Sequence, residues 1–134
     1  MKTVYSVIFF LFCLSSCNRP DAKLKERINN ADSIAINFFK GDGTMDTVVA
    51  VKIIRDKKVI ENLSTLVCAA SAKPTIKCGY DGSLHFFKNN LVVQDIDFRI
   101  NDAACRYFTF KLSGELKATV LSTEAQKLLE NIRQ

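Results

Sequence analysis

The chain is poor in the residues that usually carry chemistry. It has one histidine, five cysteines, two prolines and five glycines among 134 residues. No C-x-x-C, H-E-x-x-H or H-x3-H spacing occurs, which excludes the common zinc and redox arrangements. There is no glycine-rich phosphate loop and no nucleophile elbow. Asp42 and Asp46 flank a Gly-Asp-Gly-Thr turn, but their spacing is wrong for a calcium loop and no closing Glu follows. No stretch approaches the roughly 20 apolar residues of a spanning helix. There is no Gly/Ser-rich linker, low-complexity tract or internal repeat, so the chain reads as one small domain with one core. At 48% apolar it is no disordered chain.

Positive charge is mild and scattered. Lys and Arg number 19 against 14 Asp and Glu, a net charge of +5; only Lys2 lies in residues 1–16, so the remainder carries +4. No basic stripe is interleaved with stacking aromatics, so no nucleic-acid partner is expected. A weak positive balance favours an anionic membrane surface or an acidic partner.

What is present begins at the N-terminus. Met1-Lys2-Thr3 is a short positive start, and Val4–Leu14 is an uncharged apolar run of 11 residues. That length fits the h-region of a signal peptide. Leu14-Ser15-Ser16-Cys17 follows. Residues 1–17 resemble a bacterial lipoprotein precursor, whose lipobox is a branched apolar residue, two small residues and a Cys. The resemblance implies a diacylglyceryl group on the Cys17 sulfur, cleavage after Ser16, and acylation of the new amine by a chain such as palmitate. Two or three acyl chains would anchor the protein stably, at about 0.8 kcal/mol per buried CH2. Asn18 rather than Asp follows the Cys. By resemblance this favours the outer membrane, facing the periplasm.

The body reads as α+β. Residues 17–32 form a polar tether in which Leu24 and Ile28 suit a short helical turn. Residues 33–134 form the domain. Ser33–Lys40 and Asp46–Arg55 make a hairpin. Residues 57–70 place Val59, Ile60, Leu63, Leu66, Val67 and Ala70 at helical spacing. Thr75–Tyr80, Ser83–Lys88 and Leu91–Ile100 follow as strands joined by two-residue turns at Asp81-Gly82 and Asn89-Asn90. Cys105–Leu112 and Leu116–Leu121 add further strands. Thr123 with Gln126 offers a capping box to a C-terminal helix whose apolar face is Ala125, Leu128, Leu129 and Ile132. The order β-β-α-β-β-β-β-(β)-α predicts an antiparallel sheet of five to seven strands with two helices on one face.

Two-residue turns fix register, and register assigns faces. This puts Ile76, Cys78, Tyr80, His85, Phe87, Val92, Gln94, Ile96, Phe98 and Ile100 in the core. It leaves Leu84, Phe86, Leu91 and Val93 outward as an apolar patch, with Asp95, Asp97 and Arg99 beyond them. Such a patch is the candidate partner site.

Once Cys13 leaves with the signal and Cys17 carries lipid, Cys68, Cys78 and Cys105 remain. Cys78–Cys105 is the preferred disulfide, because both lie at one end of the sheet. Against it, a flat meander separates them by roughly 14 Å, whereas a disulfide needs about 7 Å or less. Cys68–Cys78, or no bridge, stay open. His85 reads as a hydrogen-bonded core residue, and no metal site, catalytic residue or cofactor is expected. The expected function is a lipid-anchored, non-enzymatic binding module, either an inhibitor of another protein or an accessory subunit, with an envelope protein as partner. The alternatives are a carrier of a small apolar ligand between sheet and helices and, remotely, a small hydrolase using Cys68 or His85 with Asp95 and Asp97.

Overall fold

The computed structural model describes residues 22–42, 44–74 and 77–134. The expected signal peptide and lipobox, with Cys17, and the position of Ile76 lie outside the described residues. The protein is α+β: the described residues form an antiparallel seven-stranded sheet and three α-helices. The helices are α1 (Ala22–Ile28), α2 (Lys57–Val67) and α3 (Thr123–Arg133). The strands are β1 (Ser33–Phe39), β2 (Val48–Ile54), β3 (Ser71–Ala72), β4 (Gly82–Lys88), β5 (Leu91–Phe98), β6 (Tyr107–Leu112) and β7 (Glu115–Val120). Their spatial order is β2-β1-β4-β5-β6-β7-β3. No described helix is long and apolar enough to cross a membrane.

Local chemistry accounts for the elements. β1 alternates, burying Ile34, Ile36 and Phe38. Asp56 caps α2 by accepting from the Lys58 and Val59 N–H groups. Ser122, rather than Thr123, caps α3 through the Ala125 N–H at 3.1 Å. The β4–β5 turn holds Asn89 and Asn90 at φ of 50° and 63°, the left-handed values a tight hairpin requires. Ser113-Gly114 does the same between β6 and β7.

One core cluster takes residues from all three helices and from the strands. α1 belongs to it, because Leu24 and Ile28 are fully buried. The domain therefore begins at α1, and the expected tether reaches no further than residue 21. On the core side of β4, Gly82 lies between its ladder neighbours Phe38 and Phe98, whose rings meet edge to face at 5.8 Å. A Cβ at Gly82 would stand 2.3 Å from both the Asn37 carbonyl and the Phe98 ring. Gly82→Ala is expected to destabilise the fold by about 2–3 kcal/mol through overpacking. A shift in the chemical-denaturation midpoint measures it, and an unchanged midpoint would refute that packing.

Two expectations fail here. The described part of the expected strand Thr75–Tyr80, residues 77–80, is turn and irregular chain, and the described strand after α2 is the two-residue β3 at the far edge, paired with β7. Asp81-Gly82 is accordingly no hairpin turn. The chain from β3 must pass the ends of β7, β6 and β5 before entering the sheet as β4. Asp81 anchors that arrival. It is buried, its Oδ1 accepts from Arg99 Nη1 at 2.9 Å, and its Oδ2 accepts from the Ile100 and Asn101 N–H groups at 2.6 and 2.9 Å.

The β4 face assignment is also reversed. Phe87 pairs with Val92 as expected, but Phe86 then pairs with Gln94 and His85 with Asp95. One extra residue on β5, Val93, forms a bulge, and a one-residue slip moves side chains to the opposite face. Leu84 and Phe86 are fully buried in the core, Leu91 is 71% exposed at the hairpin tip, and Val93 is half-buried. The four do not form a surface patch. His85 turns to the outer face instead.

Candidate functional site

A cleft opens beside β5. β5 and β6 pair only at Asp97–Thr109 and Phe98–Phe108, then separate. Gln94 fills the gap on the core side: its buried side-chain amide donates to the Asp95 and Lys111 carbonyls at 3.0 and 3.1 Å. A side chain thereby replaces lost ladder bonds. The separation leaves a cleft of about 650 Å3. Val92, Val93, Phe110 and Leu116 supply its apolar surface, Arg27 and Lys111 basic groups, and Asp95 and Asp97 acidic ones. Tyr80 and Thr109 complete the wall. The volume is within the usual range for a small-molecule or side-chain pocket, about 300–1,000 Å3.

Tyr80 is carried there by the crossing segment from β3 to β4, and the disulfide fixes that segment. Cys78 and Cys105 are bonded, with Cα atoms 6.2 Å apart. The expected distance problem disappears because neither residue is in a strand. Cys105 ends a single 3-10 turn, Ala103–Cys105, capped by Asp102. Asp102 lies close enough to both sulfurs to make a three-ligand cluster, but the sulfurs are spent on each other. Burial raises the Tyr80 phenol, the Asp97 charge raises it further, and a hydrogen bond with Thr109 opposes both.

Next to the cleft, the outer face carries a polar relay. His85 Nδ1 lies 2.5 Å from Asp95 Oδ1, and His85 Nε2 lies 2.9 Å from Ser83 Oγ and 3.2 Å from Asn37 Nδ2. Nδ1 thus faces a carboxylate oxygen of β5, and Nε2 faces the Ser83 hydroxyl and the Asn37 side-chain amide. The order Ser83–His85–Asp95 has the connectivity of a nucleophile, base and orienting acid. Its setting differs from that of a reactive serine. Ser83 is 5% exposed, it does not line the cleft, and β4 is hydrogen-bonded on both sides, so no free N–H pair stands ready for an oxyanion. The relay holds the imidazole flat across three strands.

Asp97 is the electrostatically unfavourable member. Burial raises its carboxyl above the ordinary 3.8; the neighbouring His85 opposes this and Asp95 adds to it. The folded-state value thus exceeds the unfolded one, so the ionised group opposes folding at neutral pH. That penalty fades as pH falls through the folded-state value and is gone below about 3.8. Asp97→Asn is expected to raise the melting temperature at pH 7, with a gain that shrinks to nothing by pH 3. A gain that is constant with pH would rule out this cause.

The other candidates lie elsewhere. Cys68 closes the end of α2, free and half-buried, and burial pushes its thiol up, which disfavours the reactive thiolate. Asp42 ties its own turn by accepting from the Thr44 N–H at 2.9 Å. Sequence reasoning did not connect Tyr80, Thr109, Lys111 or Arg27 with a site. The signal that it lacked was the separation of β5 from β6. No family model matches the chain, and no curated protein or solved structure matches it either.

Proposed function

We propose that this is a lipid-anchored protein of the bacterial envelope that works by binding, and that the cleft between β5 and β6 is where it binds. The observation that supports this is the cleft's make-up: apolar side chains together with acidic groups from β5 and basic groups from α1 and β6. Such a surface suits a side chain or short segment of an envelope protein, as an inhibitor or accessory subunit would engage it. Preorganisation by the disulfide reduces the ordering cost of binding. The anchor rests on the lipobox resemblance, with Cys17 as the lipidated residue and the outer membrane, periplasmic side, as its place. The cleft volume gives a second reading, a small amphiphile as cargo. Such a ligand would lie on the outer sheet face and not between sheet and helices, where side chains fill the core.

A photo-crosslinking residue at Val92 or at Leu116, on the cleft rim, tests this in the native envelope. Lys127, exposed on α3, is the comparator position. One protein-sized adduct from both rim positions, absent from Lys127, is the expected result. A small mass increment from the rim moves the function to the carrier reading. No adduct, or the same adducts from Lys127, overturns the binding site. Replacing Cys17 with alanine is expected to leave the uncleaved precursor and abolish labelling by a palmitate analogue.

A further inference from the structure

Resting on the cleft reading above, we infer that the bound segment enters the cleft with a basic side chain, lysine or arginine, and that Asp97 receives its charge. Four charged residues line the cleft: Arg27, Asp95, Asp97 and Lys111. Arg27, Asp95 and Lys111 are exposed, and Asp97 alone is half-buried. An exposed charge is already hydrated and gains little from a partner. A half-buried charge has given up part of its water, so the lack of a partner costs it more.

Asp97 lacks that partner. Asp95 has His85, and Arg27 Nη1 reaches Gln94 Oε1 at 3.4 Å. Among the described residues, no ion pair or hydrogen-bond donor reaches the Asp97 carboxylate. The charges that act on it are those of His85 and Asp95, not those of Arg27 or Lys111. Its place suits a cation on an apolar stem, which is the build of lysine and arginine. Asp97 pairs with Thr109 where β5 and β6 join, so it stands at the closed end of the cleft. Tyr80, hydrogen-bonded with Thr109, belongs to the same end. Val93 and Phe110 supply apolar wall for the stem. A peptide segment is favoured over a free amine by Val92 and Leu116, which stay 49% and 36% exposed at the cleft. They lie on different strands and offer apolar surface to the residues that flank the basic one.

Titration of the detergent-solubilised full chain with capped tripeptides tests this. The probes are acetyl-Val-Lys-Val-amide and its counterparts with Gln or Glu in the middle, followed by the backbone amide shifts of Tyr80 and Thr109. The Lys peptide is expected to bind roughly tenfold or more tightly than the Gln peptide, as a desolvated charge pair allows, and the Glu peptide more weakly still. Asp97→Asn is expected to be the more stable protein, so a change in its binding is not unfolding. It should lose the preference for Lys over Gln, whereas Lys111→Gln should keep it. Equal binding of the Lys and Gln peptides, a preference that survives in Asp97→Asn, or no binding by any of the peptides overturns the proposal. The rim crosslinks separate this failure from that of the cleft itself. Adducts from Val92 and Leu116 that persist undiminished in Asp97→Asn would keep the cleft as a binding site and remove the basic side chain from it.

Discussion

Asp81→Ala is expected to destabilise the protein by about 3–5 kcal/mol, the range for breaking a buried ion pair by removing one partner. Three donors lose their acceptor at once: Arg99 Nη1 and the Ile100 and Asn101 N–H groups. Arg99 would stay largely buried with its charge uncompensated, and its Nε already lacks a partner. Asp81→Asn keeps an oxygen for the backbone donors but loses the charge, so its loss is expected to be roughly half as large. Urea denaturation of both variants checks the order. A loss below 1 kcal/mol for alanine would mean that water or another acceptor replaces the carboxylate.

Removing the disulfide by Cys78→Ser with Cys105→Ser is expected to cost about 3.5 kcal/mol, from the chain entropy of its 27-residue loop. Here the effect should extend to function. The bond pins the crossing segment that carries Tyr80 to the cleft wall. The double variant should therefore lose rim-specific crosslinking under conditions where it is still folded. Binding that survives in a folded, bond-free variant would detach the crossing segment from the site. A loss of stability below 1 kcal/mol would mean that the segment is held by its packing alone.

The parts of this fold that were legible in the sequence are those governed by local chemistry. The β1–β2 hairpin, the 57–67 core of α2, the Asn89-Asn90 and Ser113-Gly114 turns and the C-terminal helix follow from alternation, caps and left-handed turn residues. Thr75–Tyr80 was misread because alternation over six residues cannot tell a strand from a crossing segment. What decides it is the non-local pairing of Ser71 and Ala72 with β7. The face of β4 was lost for a different reason. Val93 does not look like a bulge, yet one inserted residue moved Leu84 and Phe86 inward and His85 outward. The cleft was missed because it arises where β5 and β6 stop pairing, which no local pattern announces. The cysteine pair was chosen correctly on an argument that placed both residues in strands, where neither is.

The position of β1 would matter if the chain is held by its N-terminus, as proposed above. The first strand of the chain is not an edge strand but lies between β2 and β4. A pull on the residues before Ala22 must first draw Leu24 and Ile28 out of the core. It then loads β1 along its length, against two ladders whose hydrogen bonds share the force together. Peeling, which breaks bonds one at a time, would need the leading strand at the sheet's edge. In the lipid-anchored protein proposed above, the leash would join the domain in shear and could bear tension between the membrane and a bound partner.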